Sequence, residues 1–242
     1  DFSNETVSTP FGAGNGLPQA RDRLTAVSSS SYGYFAGGVA PPAVCTIDRL
    51  DFSSETFSVP GNHLTQARYS SVGFSGGASY RISGSRTYGY FAGGFGPGPF
   101  VCTIDRLDFS NETASAPGNG LPQARGYLAT VSNSSYGYFG GGFTPSAACT
   151  IDRLDFSNET VSTPFGAGNG LSLERSNLAA VSSSSYGYFG GGYYPLTNRV
   201  DRLDFSNETA SDIGDLSQPK EMLAACSSNS YGYFGGGGAP GS

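Results

Sequence analysis

The chain has 242 residues, of which only 13% are charged, and its formal net charge is −6. This balance argues against a nucleic-acid partner, because binding a phosphate backbone requires clustered lysine and arginine. No apolar run is long enough for a membrane-spanning helix, and the residues after Asp1 lack the basic start and apolar stretch of a signal peptide.

Two phrases recur along the chain in constant order. Asp-Phe-Ser-Asn-Glu-Thr, with one Asn-to-Ser change, begins at residues 1, 51, 108, 155 and 204, at intervals of 47 to 57 residues. Tyr-Gly-Tyr-Phe begins at residues 32, 88, 136, 186 and 231 and is followed by glycines. Five copies of each phrase predict five structural units within a single domain, residues 1–242.

In chain order, each unit reads as four short strands. The first follows an arginine, as in residues 175–182, and interleaves small and apolar side chains. The second is the Tyr-Gly-Tyr-Phe segment, as in residues 186–189. The third is a β-branched and aromatic run of alternating polarity, as in residues 150–156. A Ser-Asn-Glu turn then leads to a brief fourth strand, as in residues 160–163.

Four-stranded units of this period are typical of propeller blades. A single blade cannot bury both of its faces, so neighbouring blades must stack around an axis. Small residues such as Ala129, Ala179 and Ala180 suit the crowded centre, so we assign the first strand to the innermost position. We therefore predict an all-β fold, a five-bladed β-propeller of four-stranded blades.

The two ends of the chain predict how the propeller closes. The last unit has its first two strands near the C-terminus, whereas residues 1–9 carry the turn and fourth strand of a unit. We expect both termini to share this last blade, which removes exposed sheet edges. The counterpart of residues 149–154 is missing before Asp1, so we also expect this chain to be a piece of a longer protein.

The units resemble the kelch repeat. An arginine, an apolar strand, an aromatic strand ending in Gly-Gly and an aromatic residue before a turn correspond to Arg21, Gly37-Gly38 and Phe52, and again to Arg125, Gly141-Gly142 and Phe156. The chain departs from the kelch pattern because it has no tryptophan. Its phrases are also similar to repeats in structural proteins of marine cyanobacterial phages. These resemblances imply kelch-like blades and a structural protein.

Asp-Arg pairs recur in the third strands, and we predict that the aspartates form structural ion pairs with the arginines before the first strands. The aspartates are Asp48, Asp105, Asp152 and Asp201, and the arginines are Arg21, Arg68, Arg125 and Arg175. A glycoside hydrolase would need two carboxylates in different surroundings near the axis. Because the third strand should lie away from the axis, we predict no catalytic residue and no enzymatic activity.

The cysteines and the single histidine do not predict a metal or cofactor site. Cys45, Cys102 and Cys149 occupy one repeat position on separate blades, beyond the Cα separation of about 7 Å that a disulfide allows. With Cys226 they are predicted to be buried free thiols, although a disulfide or metal role stays open. His63 lies in a loop without a partner histidine, and we expect it to be exposed.

The loops that differ between units predict where a partner binds. The loops between the second and third strands and the loops between units should emerge on one face of the disc, which we call the loop face. We predict binding through exposed aromatic residues there, with packing between the loops as the alternative. The predicted binding residues are Phe11, Phe95, Phe100, Phe143, Phe165, Tyr193, Tyr194 and Asn198. On the opposite face, residues 76–86 form an insertion that contacts a neighbour or is simply tolerated.

These features favour a non-enzymatic scaffold and recognition module, whose partner is a protein or a glycan on a surface. A virion appendage or a cell-surface protein fits this description. We expect a location outside the cell or on a virion, and assembly into a homo-oligomer or a larger complex. The alternative is a lectin with several equivalent sites, because aromatic faces with Asn, Ser and Thr suit neutral glycans. A five-bladed glycoside hydrolase is the third hypothesis, and its candidate carboxylates near the axis are Asp22, Glu174 and Glu221.

Overall fold

The computed structural model describes residues 16–76, 87–165, 170–228 and 230–239. In these residues the regular structure consists of eighteen antiparallel β-strands. No helix that could cross a membrane occurs in the described part of the chain. The predicted all-β class is confirmed.

Each of the first four sheets contains four strands in chain order, as predicted. The first sheet contains β1 (Thr25–Ser28), β2 (Tyr32–Ala36), β3 (Ile47–Asp51) and β4 (Thr56–Ser58). The second contains β5 (Val72–Gly76), β6 (Tyr88–Ala92), β7 (Ile104–Asp108) and β8 (Ala114–Ser115). The third contains β9 (Ala129–Ser132), β10 (Tyr136–Gly140), β11 (Ile151–Asp155) and β12 (Val161–Ser162). The fourth contains β13 (Ala179–Ser182), β14 (Tyr186–Gly190), β15 (Arg199–Asp204) and β16 (Thr209–Asp215).

The fifth sheet contains two strands within the described residues, β17 (Ala224–Ser227) and β18 (Gly232–Gly235). The outer strands that we predicted for this blade fall in residues 1–9, which lie outside the described residues. Of the predicted insertion at 76–86, residues 77–86 also lie outside them. The first strands β1, β5, β9, β13 and β17 contact one another in this order and line a central opening. Their small side chains therefore occupy the innermost position, as predicted.

The hydrophobic core lies between neighbouring sheets. One cluster joins Val131 and Tyr138 of the third sheet to Phe189 and Leu203 of the fourth. Tyr138, Phe189 and Leu203 are fully buried. The second and third sheets each have a neighbouring sheet on both sides. Their second strands therefore carry buried side chains on both faces, without alternation between buried and polar residues.

The glycines after the second strand let adjacent sheets approach closely. Gly141 has a φ of 65°, and a Cβ atom there would lie 2.6 Å from the carbonyl oxygen of Arg175 in the next unit. The backbone N–H of Gly142 donates to that same carbonyl at 2.9 Å. A residue with a side chain would meet both a steric clash and an unfavourable backbone conformation at Gly141.

A chain of backbone hydrogen bonds also joins all five units at the start of their first strands. The N–H of Ser70 donates to Arg23 at 2.9 Å, and the N–H of Tyr127 donates to Ser70 at 3.2 Å. Asn177 donates to Tyr127, and Met222 donates to Asn177, each at 2.9 Å. All five residues have φ between 52° and 56°, in the left-handed region. This shared conformation fixes the backbone around one end of the central opening.

Candidate binding face

The arginines before the first strands are buried against third-strand aspartates of the same unit. Arg125 and Arg175 each lie 2.7 Å from their aspartate, and Arg21 lies 2.6 Å from Asp48, with all these side chains at most 1% exposed. The fourth pair joins Arg68 to Asp105. Burial lowers the pKa of Arg175 below its usual range, whereas the adjacent Asp201 opposes this effect. These carboxylates are enclosed within the sheets, so a substrate could not reach them.

A second polar cluster joins each of the first three sheets to the sheet that follows it, and sequence reasoning missed it. Glu208 accepts hydrogen bonds from Arg153 at 2.7 Å and from the Tyr138 hydroxyl at 3.1 Å. The Tyr138 ring stacks on Phe205, with centroids 5.3 Å apart. Burial, reinforced by Glu208, raises the pKa of Tyr138. We call this arrangement the inter-sheet clasp, and it recurs at Glu112 and Glu159.

The signal for this clasp was present in the sequence. The glutamate and phenylalanine of Asp-Phe-Ser-Asn-Glu-Thr contact the second tyrosine of Tyr-Gly-Tyr-Phe in the preceding unit. The aspartate and asparagine of the phrase instead accept hydrogen bonds within their own turn. Asp155 accepts hydrogen bonds from the Ser157 N–H and hydroxyl, at 2.8 and 2.7 Å, and these bonds lower its pKa. The recurring phrases are therefore structural devices.

Aromatic side chains form a continuous row on the loop face. Phe95 and Phe100 have ring centroids 4.2 Å apart, and Phe100 lies 5.8 Å from Phe143. Tyr194 lies 5.6 Å from Phe143 and 4.4 Å from Tyr193. Tyr193 is 39% exposed and Tyr194 is 53% exposed, whereas the three phenylalanines are half-buried. The row therefore crosses three units and ends in two accessible tyrosines.

Three other predicted binding residues do not join this row. Phe165 was expected on the loop face, but it is only 6% exposed because it packs edge-on against Tyr138 in the core. Its side chain is therefore unavailable to a partner. Asn198 is half-buried, and its amide donates to the Leu216 carbonyl at 3.2 Å, which ties down its own loop. Phe11 lies outside the described residues.

The row borders a cavity at the loop-face end of the central opening, which we call the mouth. Its volume is about 450 Å³. Its rim consists of the five hydrogen-bonded residues Arg23, Ser70, Tyr127, Asn177 and Met222, and its floor of Leu24, Ser71, Leu128, Leu178 and Leu223. Tyr127 contacts Phe95 edge-on at 5.2 Å, which links the mouth to the row. Sequence reasoning placed the working surface away from the channel and overlooked these rim positions.

The sequence offered a signal for the rim, because the amino acid at this one repeat position differs in every unit. It lies two residues after Arg21, Arg68, Arg125, Arg175 and Lys220, and no two units share a side chain there. The backbone is nevertheless the same in all five. A floor of four leucines and one serine, bordered by mostly polar side chains, is typical of a ligand pocket.

The remaining candidates do not form a further site. All four cysteines are free, but Cys45 and Cys149 are only half-buried and Cys102 and Cys226 are exposed, so the prediction that all four are buried was wrong. Cys226 belongs to the fifth sheet, whose side chains are less covered than those of the other sheets. His63 is exposed, as predicted. Within the described ranges, no cluster of His, Cys, Asp and Glu could hold a metal ion.

The four-stranded sheets around a central opening define a propeller-like β-protein. The fold is similar to the structure of YjhT, with a TM-score of 0.72 and 14% sequence identity, over 91% of this chain and 78% of that chain. At this identity the likeness shows the fold alone. No protein-family model matches the chain, and no curated protein matches its sequence.

Proposed function

We propose that the chain is a non-enzymatic recognition module on a five-bladed, kelch-like β-propeller, with a protein or a glycan on a surface as its partner. Five units contribute innermost strands, and backbone hydrogen bonds join all five from Arg23 to Met222. The similarity to phage repeats supports a virion appendage or another surface assembly, outside the cell or on a virion.

Closure of the last blade by both termini is part of this proposal. Residues 1–17 repeat residues 155–171 without a change. Residues 155–162 form the outer hairpin of the third sheet, between β11 and β12. An identical sequence is expected to form the same hairpin, so residues 1–9 are suited to the outer part of the fifth blade.

The observation that carries the binding proposal is the continuity of the mouth with the aromatic row. Exposed aromatic rings beside a pocket whose rim combines Arg23, polar side chains and Met222 match the composition of recognition surfaces. Tyr194 and Met222 are 53% and 66% exposed, so a partner could contact both without any rearrangement. The half-buried phenylalanines between units hold the row in place.

The rim favours one composite site over several equivalent sites. A lectin with a site on each blade would present similar side chains at equivalent positions. Here the five rim residues have one backbone conformation and five different side chains. The alternative of a glycan ligand is retained because Tyr193 and Tyr194 offer exposed rings to a neutral sugar. A glycoside hydrolase is disfavoured because its candidate carboxylates Asp22, Glu174 and Glu221 do not line the central opening. The recurring aspartates are enclosed in ion pairs.

Binding measurements on exposed variants test this function. The labelled chain would be applied to a glycan array and to a display library of random peptides, and hits would be titrated by calorimetry. We expect a stoichiometry of one and a loss of about tenfold or more in affinity for Tyr194→Ala or Met222→Ala. Phe52→Ala is the matched control, since Phe52 is 46% exposed but follows the third strand at its far end from the loop face. A stoichiometry near five would favour the lectin, and hits insensitive to both variants would exclude this face.

A further inference from the structure

One position in the floor of the mouth breaks the repeat. Leu24, Leu128, Leu178 and Leu223 occupy it in four units, and Ser71 occupies it in the second. Ser71 is only 8% exposed, and its hydroxyl has no hydrogen-bond partner among the residues that the structure describes. The first and third sheets, which flank it, have all four of their strands described. A buried hydroxyl without a partner is costly, and a ligand that pairs with it would remove that cost.

The serine also leaves space that a leucine fills in other units. A Cβ atom on Gly93 would lie 3.1 Å from Cδ2 of Leu128, so this leucine packs against the preceding unit. Leu178 makes the same contact in the next unit. At the equivalent Gly37, the nearest atoms belong to other residues of the second unit, and the shorter Ser71 lies farther away. The mouth therefore has a recess beside Ser71, between the first and second sheets.

The charged groups around the rim already have partners. The Arg23 guanidinium lies 3.9 Å from the Asp22 carboxylate and 5.7 Å from the centre of the Tyr69 ring. The Glu221 carboxylate accepts a hydrogen bond from the Asn177 amide at 2.9 Å. Because both signs of charge are present and paired, the mouth favours a neutral ligand.

We propose that the mouth accepts a tyrosine side chain of a partner protein, whose hydroxyl pairs with Ser71 in the recess. This inference rests on the proposed function, and it selects a protein over a glycan as the partner. The tyrosine ring would lie against the leucines of the floor. At the rim it would meet Tyr127 and the thioether of Met222, and both contacts are favourable for an aromatic ring. Ser71 is then the residue that determines specificity.

Other neutral groups match the mouth less well. A sugar ring carries several hydroxyls, and each one that is buried without a partner is costly. The floor offers one side-chain hydroxyl among four leucines. A phenylalanine side chain would fill the apolar space but leave the Ser71 hydroxyl unpaired. Tyrosine combines an apolar ring with a single hydroxyl, which is the composition that the floor presents.

Two small probes that differ by one hydroxyl test this inference. N-acetyl-tyrosinamide and N-acetyl-phenylalaninamide would be titrated separately into the full chain labelled with ¹⁵N and followed by NMR. We expect saturable shifts of the amides of residues 71, 128 and 178, and an affinity about tenfold higher for the tyrosine probe. Ser71→Ala should bring the two affinities within about twofold of each other.

Two further variants complete the test. Ser71→Leu restores the leucine of the other units and closes the recess, so it should weaken binding of the tyrosine probe about tenfold or more. Thermal unfolding would establish that each variant is folded. Ser30→Ala is the matched control, since Ser30 is exposed in the turn that follows the far end of β1. It should leave the affinities of both probes unchanged.

Several results would overturn the inference. These are the absence of saturable binding of the tyrosine probe, equal affinity of the two probes, and a preference that persists in Ser71→Ala. Methyl α-glucoside is a third probe, and saturable binding of it in place of the tyrosine probe would mean that Ser71 serves a sugar. None of these results affects the loop-face function if array or library hits stay sensitive to Tyr194→Ala. Loss of every such hit would overturn that function instead.

Discussion

At the scale of single residues, the buried ion pairs show why the charged residues of this chain are few but fixed in position. Arg175 donates to both Asp201 and the carbonyl of Phe189, at 2.7 and 3.1 Å, and it is fully buried. Taking both charges out of water is costly, and only mutual pairing and added hydrogen bonds offset that cost. Loss of one partner therefore leaves the other as an uncompensated buried charge.

Asp201→Asn is expected to lower the free energy of unfolding by about 3 kcal/mol, because Arg175 would stay charged and buried. Asp212→Asn is the matched control in the same sheet. Its partner Arg199 and Asp212 have side chains 41% and 36% exposed, and an exposed pair contributes about 1 kcal/mol or less. Urea unfolding at neutral pH measures both. Equal losses in the two variants would show that burial of the pair does not matter.

The turn aspartates predict how stability depends on pH. The Ser157 hydroxyl and N–H hold the pKa of Asp155 below its usual value of 3.8. The folded chain therefore binds this proton at lower pH than the unfolded chain does, and the stabilisation is present above pH 3.8 and lost below it. Ser157→Ala should be less stable than the parent chain at pH 7, and the difference should shrink at about pH 3. Denaturant unfolding at the two pH values measures this, and a pH-independent difference would contradict it.

At the scale of the elements, neighbouring sheets are held by a polar clasp as well as by apolar packing. Glu208 lies in the turn between β15 and β16 but contacts Arg153 and Tyr138 of the third sheet. Its left-handed conformation, with a φ of 55°, directs the turn toward that sheet. One six-residue phrase thus forms the turn of a hairpin and attaches that hairpin to the preceding sheet.

Glu208→Gln is expected to cost roughly 1–3 kcal/mol, because the charge-assisted hydrogen bond from Arg153 is weakened. Glu55→Gln is the control, since Glu55 fills the same turn position in the first unit with a φ of 53° but is exposed. Thermal unfolding of the two variants should show a lower midpoint for Glu208→Gln and little change for Glu55→Gln. A matching shift in both would assign the effect to the turn and not to the clasp.

At the scale of the whole molecule, the repeats were sufficient to predict the strands, their order and the innermost position of β1, β5, β9, β13 and β17. The alternation of polar and apolar residues and the small side chains of the first strand are local properties. They can therefore be read from the sequence of each unit. Contacts between units are not local. The burial of Phe165 against Tyr138 and the reach of Glu208 to the preceding sheet depend on how two sheets stack.

The candidate site was predictable only in part, for the same reason. Loop variation pointed to Phe95, Phe100, Phe143, Tyr193 and Tyr194, which the structure brings together in one row. The mouth was missed because its rim residues lie two positions after the recurring basic residues, where the sequence reads as the start of a strand. Only the three-dimensional arrangement shows that five separated positions converge on one cavity.

The chain of hydrogen bonds around the mouth has a practical consequence for protein engineering. It uses only backbone N–H and C=O groups, so the scaffold does not depend on which side chains stand at residues 23, 70, 127, 177 and 222. Proline lacks the N–H group, and β-branched residues disfavour a positive φ. Arginine, serine, tyrosine, asparagine and methionine already occupy these places with a φ between 52° and 56°. These positions are therefore a natural choice for a combinatorial library, in which new specificities could be selected without redesigning the fold.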